Sequence, residues 1–170
     1  WNYRNELTET IIETPRGRTN ITYGYDSQGQ RISKTERTPD GTTVTNFPTQ
    51  SYSETTKSDG STERTVSISI AGMPIATVRT IGTGTPEIYQ THTDHLRSTR
   101  MVTDSAAKPV ESVAYEPFGS IIPSGQSPVA SGYSPERRKF TSHELDTSTN
   151  YTYAKARYLD TGVGRFISQD

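Results

Sequence analysis

Three features of the sequence predict an all-β fold, an antiparallel strip of hairpins followed by an irregular C-terminal segment. Turn signals recur at short, even intervals. The runs between them alternate with a period of two residues, the signature of strands. No window carries the capped, 3.6-residue apolar stripe that an amphipathic helix needs. The residue types agree: Thr is roughly one residue in six and there are 10 Tyr in 170 residues, both suited to a pleated, half-buried surface.

Taken in order, "WNYRNELTETIIE" reads as a worn first strand, closed by Pro15-Arg16-Gly17. Ile21, Tyr23 and Tyr25 then share one strand face before the turn Asp26-Ser27-Gln28-Gly29. Pro39-Asp40-Gly41 and Ser58-Asp59-Gly60 follow, and Asp-Gly between alternating runs is the strongest short-range hairpin signal. Val66, Ile68 and Ile70 form one face of the next run, with Thr65, Ser67 and Ser69 opposite, and Gly82-Thr83-Gly84 ends the array. The texture divides the chain into a hairpin array, residues 1–84, and a denser second part, residues 85–170. Within the latter, residues 120–136 concentrate Pro, Ser and Gly and read as a loop. The last hairpin is predicted to turn at residues 160–164.

Composition limits what such a chain can be. Hydrophobic residues make up 29%, with 13 Gly, too little apolar surface to offset ordering entropy in a free globule. "YGYDSQGQRISK" (23–34) looks like one unit of a short repeat. Stacked repeats bury their faces against neighbours, which makes the strip part of a shell. The first residue is Trp1 with no leader before it, so the chain is expected to be a piece of a longer precursor. Its 18 basic and 19 acidic residues leave a net charge of −1, with no footprint for nucleic acid or an anionic membrane. No apolar run approaches the ~18 residues of a membrane span. Without Cys there is no thiol chemistry and no disulfide.

At three places the residues resemble the rearrangement-hotspot (Rhs) proteins. "YGYDSQGQRISK" resembles a YD repeat of that family. "YQTHTDHLRSTRMVTD" (89–104) with "YEPFG" (115–119), and "FTSHELDTSTNYTYAKARYLDTGVGRFISQD" (140–170), resemble the opening and close of the Rhs repeat-associated core. The resemblance implies a β-strip spiralling into a hollow shell, with the core plugging one end around a C-terminal toxin or effector. In toxin members that core also cuts its own chain, downstream of the position of Asp170. It therefore implies that Asp170 is a catalytic acid of self-cleavage, with Arg157 holding or polarising the site and a second carboxylate supplied downstream. Expected partners are the downstream effector domain, neighbouring YD repeats and a secretion apparatus, with a secreted or cell-surface location. Arg97, Ser142 and Lys155 stand where the family usually has Gly, the residue of positive φ and close backbone approach.

The residues alone leave Asp170 open. Pairing Tyr158 with Phe166 would set Arg157 opposite Ile167 and leave Asp170 about 10 Å away on the other face by strand rise. Arg165 is a rival partner, and a solvated chain end is the plain alternative. Other clusters have plain readings too. His92, Asp94 and His95 include a two-His, one-carboxylate set, but a strand splits them between faces, so a hydrogen-bonded turn is expected and no metal. Tyr151, Tyr153, Lys155 and Arg157 share a face that could hold a carbohydrate ring or form a cross-strand ladder. The alternative function is accordingly a non-catalytic adhesion or carbohydrate-binding module on the same scaffold. No cofactor motif is present.

Overall fold

The structure, a computed structural model, describes residues 1–122 and 134–168. The first ten strands are β1 (Glu9–Thr14), β2 (Gly17–Tyr25), β3 (Arg31–Thr38), β4 (Gly41–Thr49), β5 (Tyr52–Lys57), β6 (Thr62–Ile70), β7 (Met73–Ile81), β8 (Glu87–Thr93), β9 (Thr99–Thr103) and β10 (Pro109–Ser112). They form one meander in which each strand pairs antiparallel with the next. The sheet runs unbroken past residue 84, because Val78 pairs with Ile88 across that turn. Two small sheets follow: β11 (Ala114–Tyr115) with β12 (Ile121–Ile122), then β13 (Glu144–Asp146), β14 (Tyr151–Tyr153), β15 (Tyr158–Asp160) and β16 (Arg165–Phe166). A 3-10 turn at Phe140–Ser142 is the sole helical piece among the described residues. The chain is thus nearly all antiparallel β, as its turns and alternation predict. The predicted loop 120–136 differs at its start, where Ile121 and Ile122 pair with Tyr115 and Ala114; residues 123–133 lie outside the described range.

One turn geometry recurs five times among the described residues. The first residue's N–H donates to the carbonyl of the fifth and the fourth N–H returns to the carbonyl of the first, as in Asp26–Gln30, Lys57–Ser61, Asp94–Ser98, Asp104–Lys108 and Glu116–Ser120. Asp26, Asp94 and Asp104 add a side-chain oxygen that accepts two further N–H groups. The fourth residue of such a turn must be left-handed. Gly29, Gly60 and Gly119 meet this with φ of 76°, 80° and 93°, but Arg97 and Ala107 do so at 66° and 60°.

All three non-glycine departures keep the left-handed backbone: Arg97 φ 66°, Ser142 φ 62° and Lys155 φ 65°. The fold has absorbed them without rerouting the chain. Arg97 and Ser142 gain something in exchange, since both reach the β6–β7 turn, where Ser142 Oγ donates to the Gly72 carbonyl at 3.3 Å. Lys155 is exposed. Lys155→Gly should therefore raise stability by roughly 0.5–1 kcal/mol, the left-handed penalty relieved less the entropy glycine adds. Lys155→Ala should not. Paired urea titrations of the two variants decide it.

The meander buries one face against the segment 134–168. Ile21, Tyr23, Leu7 and Tyr158 form the core of that contact, with Tyr25, Tyr151, Tyr153 and Ile167 packed around it. Elsewhere the covered face is polar, with Ser53, Thr65 and Thr77 buried while Val66, Ile68 and Ile70 are exposed. The low apolar content follows from this inversion. Along β5–β7, hydroxyl-bearing side chains fill the covered face, and aliphatic ones stand outside it.

Candidate functional site

Arg31 sits at the centre of the seam, its side chain 1% exposed. It leaves the sheet at the start of β3 and lies between the rings of Phe47 and Tyr153, 4.7 and 4.4 Å from their centroids. Its guanidinium pairs with Glu144 at 2.8 Å and approaches Asp146 at 3.9 Å, both on β13. Lys34 donates to Asp146 at 2.6 Å and to Ser148 at 3.1 Å, and Ser148 Oγ donates to Glu36. The Tyr23 hydroxyl donates to the other Asp146 oxygen at 3.0 Å. Burial acts to lower the Arg31 pKa, but Glu144, Tyr158 and Asp146 outweigh it and hold the guanidinium charged. Two cations and three carboxylates thereby fasten the covering segment to β2 and β3.

Four tyrosines ring this knot. The Tyr25 and Tyr158 hydroxyls lie 3.2 Å apart, and Tyr153 accepts the Arg31 backbone N–H at 3.0 Å. Burial pushes Tyr158 up to about 12 and raises Tyr23, Tyr25 and Tyr153 as well. The rings stay neutral because a phenolate there would lose its hydration.

A second knot lies farther along the sheet. Lys139, 3% exposed, pairs with Glu111 at 2.5 Å and donates to Ser134, which in turn donates to Glu111. Burial lowers the Lys139 pKa, with Glu111 opposing that shift. Nearby, the fully buried Glu136 accepts from Thr77 at 2.7 Å and from the Arg138 N–H at 2.8 Å.

Of the predicted site residues, Asp170 lies outside the described residues. Arg157 is half-buried, with its guanidinium 3.8 Å above the Phe166 ring. The expected pairing of Tyr158 with Phe166 is corrected by one residue: Leu159 pairs with Phe166, Asp160 with Arg165, and the Ile167 N–H donates to the Tyr158 carbonyl. The turn closed by Asp160 and Arg165 is one residue longer than the sequence reading supposed, and Asp160 Oδ1 collects the N–H groups of Gly162 and Val163 within it. Arg165 is exposed. Tyr151 and Tyr153 face the seam, Tyr153 stacking on Arg31 and Tyr158. Asp94 caps the β8–β9 turn, His92 pairs with Thr103 at 3.1 Å and His95 is exposed. No group of three His, Asp or Glu among the described residues could hold a metal ion, and no described helix is long and apolar enough to cross a membrane.

Sequence reasoning missed Glu144, Asp146, Glu111 and Lys139 as seam residues. Arg31, Glu144 and Asp146 all lie inside motifs that the sequence singles out, but nothing local pairs residues more than 100 positions apart, and Glu111 and Lys139 lie outside every motif.

No protein-family model matches the chain, and no curated protein matches it. Its fold is that of known toxin structures. The chain is 20% identical to a structure of TcdB2-TccC3-Cdc42 (TM-score 0.78) and 19% identical to TcdB2-TccC3 without the hypervariable C-terminal region (TM-score 0.80). It is 18% identical to the Photorhabdus luminescens Tc holotoxin pore with a mutated TccC3 (TM-score 0.78). All of this chain is covered in each case, but only 8–9% of the other chains.

Proposed function

We propose that this chain is the closing part of an Rhs-type β-shell that encloses a C-terminal toxin or effector, and that the intact precursor cuts itself just downstream of Asp170. The observation that carries the reading is the seam. A segment of the chain covers one face of a repeat-like sheet and is pinned there by buried charge, as a plug on a shell wall must be. The likeness in fold to TcdB2-TccC3 structures supports it. Partners on this reading are the downstream effector, neighbouring repeats of the shell and a secretion apparatus, and the precursor is secreted or held at the cell surface.

The cut itself is peptide hydrolysis by carboxylates. Asp170 takes a proton from water as its oxygen attacks the scissile carbonyl carbon, and Arg157 offers donors to the oxyanion that forms. The C–N bond then breaks, and a second carboxylic acid, supplied downstream, protonates the departing amine. Tyr158, next to Arg157 in the chain, accepts the Ile167 N–H, and Asp170 follows three residues after Ile167, at most ~10 Å of chain. Phe166, stacked beneath Arg157, fixes the guanidinium.

A precursor carrying the native sequence beyond Asp170, followed on a denaturing gel, tests the reading. The parent chain should appear cut, and Asp170→Asn and Arg157→Ala should each remain whole while keeping the β spectrum. Efficient cutting in Asp170→Asn would end the catalytic assignment, and a parent that stays whole would favour the adhesion alternative.

A further inference from the structure

The second knot differs from an ordinary ion pair. Lys139, Glu111 and Glu136 are 3%, 4% and 0% exposed, so one amine and two carboxyl groups are gathered away from water. Mutual attraction alone often fails to offset the loss of hydration in such a place. Lys139 Nζ stands 2.5 Å from Glu111 Oε1 and 2.5 Å from Ser134 Oγ, and that hydroxyl stands 2.5 Å from the other Glu111 oxygen. Together with the Glu111 carboxyl carbon, these atoms close a ring. Both ends of the contact are fixed. The Lys139 N–H donates to the His143 carbonyl and its own carbonyl accepts from Thr99, while Glu111 follows the irregularity in β10 and sits opposite Val102. Burial also lowers the Lys139 pKa, which favours the neutral amine, and a desolvated lysine amine is a nucleophile.

We propose that Lys139 and Glu111 condense into an isopeptide bond, which ties the covering segment covalently to β10. One proton first passes from Nζ to Glu111 Oε1 across their contact. The neutral amine attacks the carboxyl carbon, and a second proton leaves Nζ through Ser134 to Oε2. The tetrahedral carbon then expels one oxygen as water, which takes the proton of the other oxygen and leaves the amide carbonyl. Of the three protons on the ammonium, one stays on the amide and two leave in the water; charge is unchanged and no outside reagent is needed. Holding the two groups in contact acts as a concentration of ~10⁵ M or more. Condensation removes two buried charges, and Glu136 keeps its donors, Thr77 and the Arg138 N–H. The bond requires nothing of Asp170, so it stands whether or not the precursor cuts itself.

The experiment is the mass of the full chain, sampled from cell-free translation onward and denatured before measurement, with a tryptic digest to locate any change. The parent should become lighter by one water. Trypsin should fail to cut after Lys139 and should release one branched peptide that joins Lys139 to Glu111. Lys139→Arg and Glu111→Ala should each keep the full sequence mass. Ser134→Ala, which retains both reacting groups, should lose water about 100-fold more slowly, the usual contribution of a positioned proton relay. A parent that keeps the full sequence mass and is cut normally after Lys139 would overturn the proposal. So would a loss of water that maps to Asp40-Gly41 or Asp59-Gly60, where a cyclic imide has the same mass, or one that persists in Lys139→Arg. Ser134→Ala reacting at the parental rate would overturn the relay. The parent's own mass and branched peptide decide the bond, so a variant that fails to fold cannot imitate either result.

Discussion

Arg31→Met should destabilise the folded chain by about 3–5 kcal/mol, the cost of stranding buried charges without their partner. Glu144 and Asp146 lose their shared cation, at 2.8 and 3.9 Å, and Asp146 keeps only Lys34, Tyr23 and its turn contacts. Two rings also lose the plane stacked against them. The loss should appear first as release of the covering segment, because the meander's own strand pairing is untouched. Limited proteolysis should then cut within residues 137–168 while β1–β10 resist, and a urea titration should give the magnitude. Arg31→Lys should fall between, since an ammonium carries the charge but cannot stack or bridge two carboxylates in the same way. A loss below about 1 kcal/mol, the range of exposed pairs, would show that the knot is open to water and does not fasten the seam.

Alkaline solution should dismantle the same seam in one step. A tyrosine whose pKa is raised by folding contributes stability that is intact below the ordinary value of 10 and lost as pH climbs through its folded value. For Tyr158 that window runs from 10 to about 12, worth about 3 kcal/mol at 1.36 kcal/mol per unit. Tyr23, Tyr25 and Tyr153 shift in the same direction, so their losses add within that rise. Phenolate absorbance should therefore jump cooperatively, together with loss of the β circular dichroism signal. A smooth titration of every tyrosine with the β signal intact would refute the burial on which the seam rests. Arg31→Met should bring the transition to lower pH, because the seam it breaks is the one the tyrosines line.

Much of the fold was legible in local chemistry. Asp26, Pro39-Asp40-Gly41 and Asp59-Gly60 mark turns because Asp oxygens and left-handed glycines satisfy turn backbones without help from distant residues. Arg97, Ser142 and Lys155 were flagged by the family resemblance and not by local chemistry, and all three adopt positive φ. Alternation in β6 was legible too, but its polarity was not. Thr65 is buried and Val66 exposed, the reverse of the usual expectation, because the cover over that face is itself polar. The register of the last hairpin slipped by one residue for a related reason: the Asp160 turn could close in more than one way, and Ile167 docking into the core selects one.

The sequence by itself determined the all-β class and most of the hairpin turns as far as Gly84, since these depend on residues within a few positions of one another; the turns at residues 50–51 and 71–72 were not legible in it. Which face the meander buries, which carboxylates meet Arg31 and Lys139, and which ring Arg157 lies over were decided only by the tertiary structure. Those choices depend on desolvation, and a charge that costs several kcal/mol to bury can be placed only where its partner arrives. Here the partners come from 28 to more than 100 residues away, a separation that no local pattern encodes.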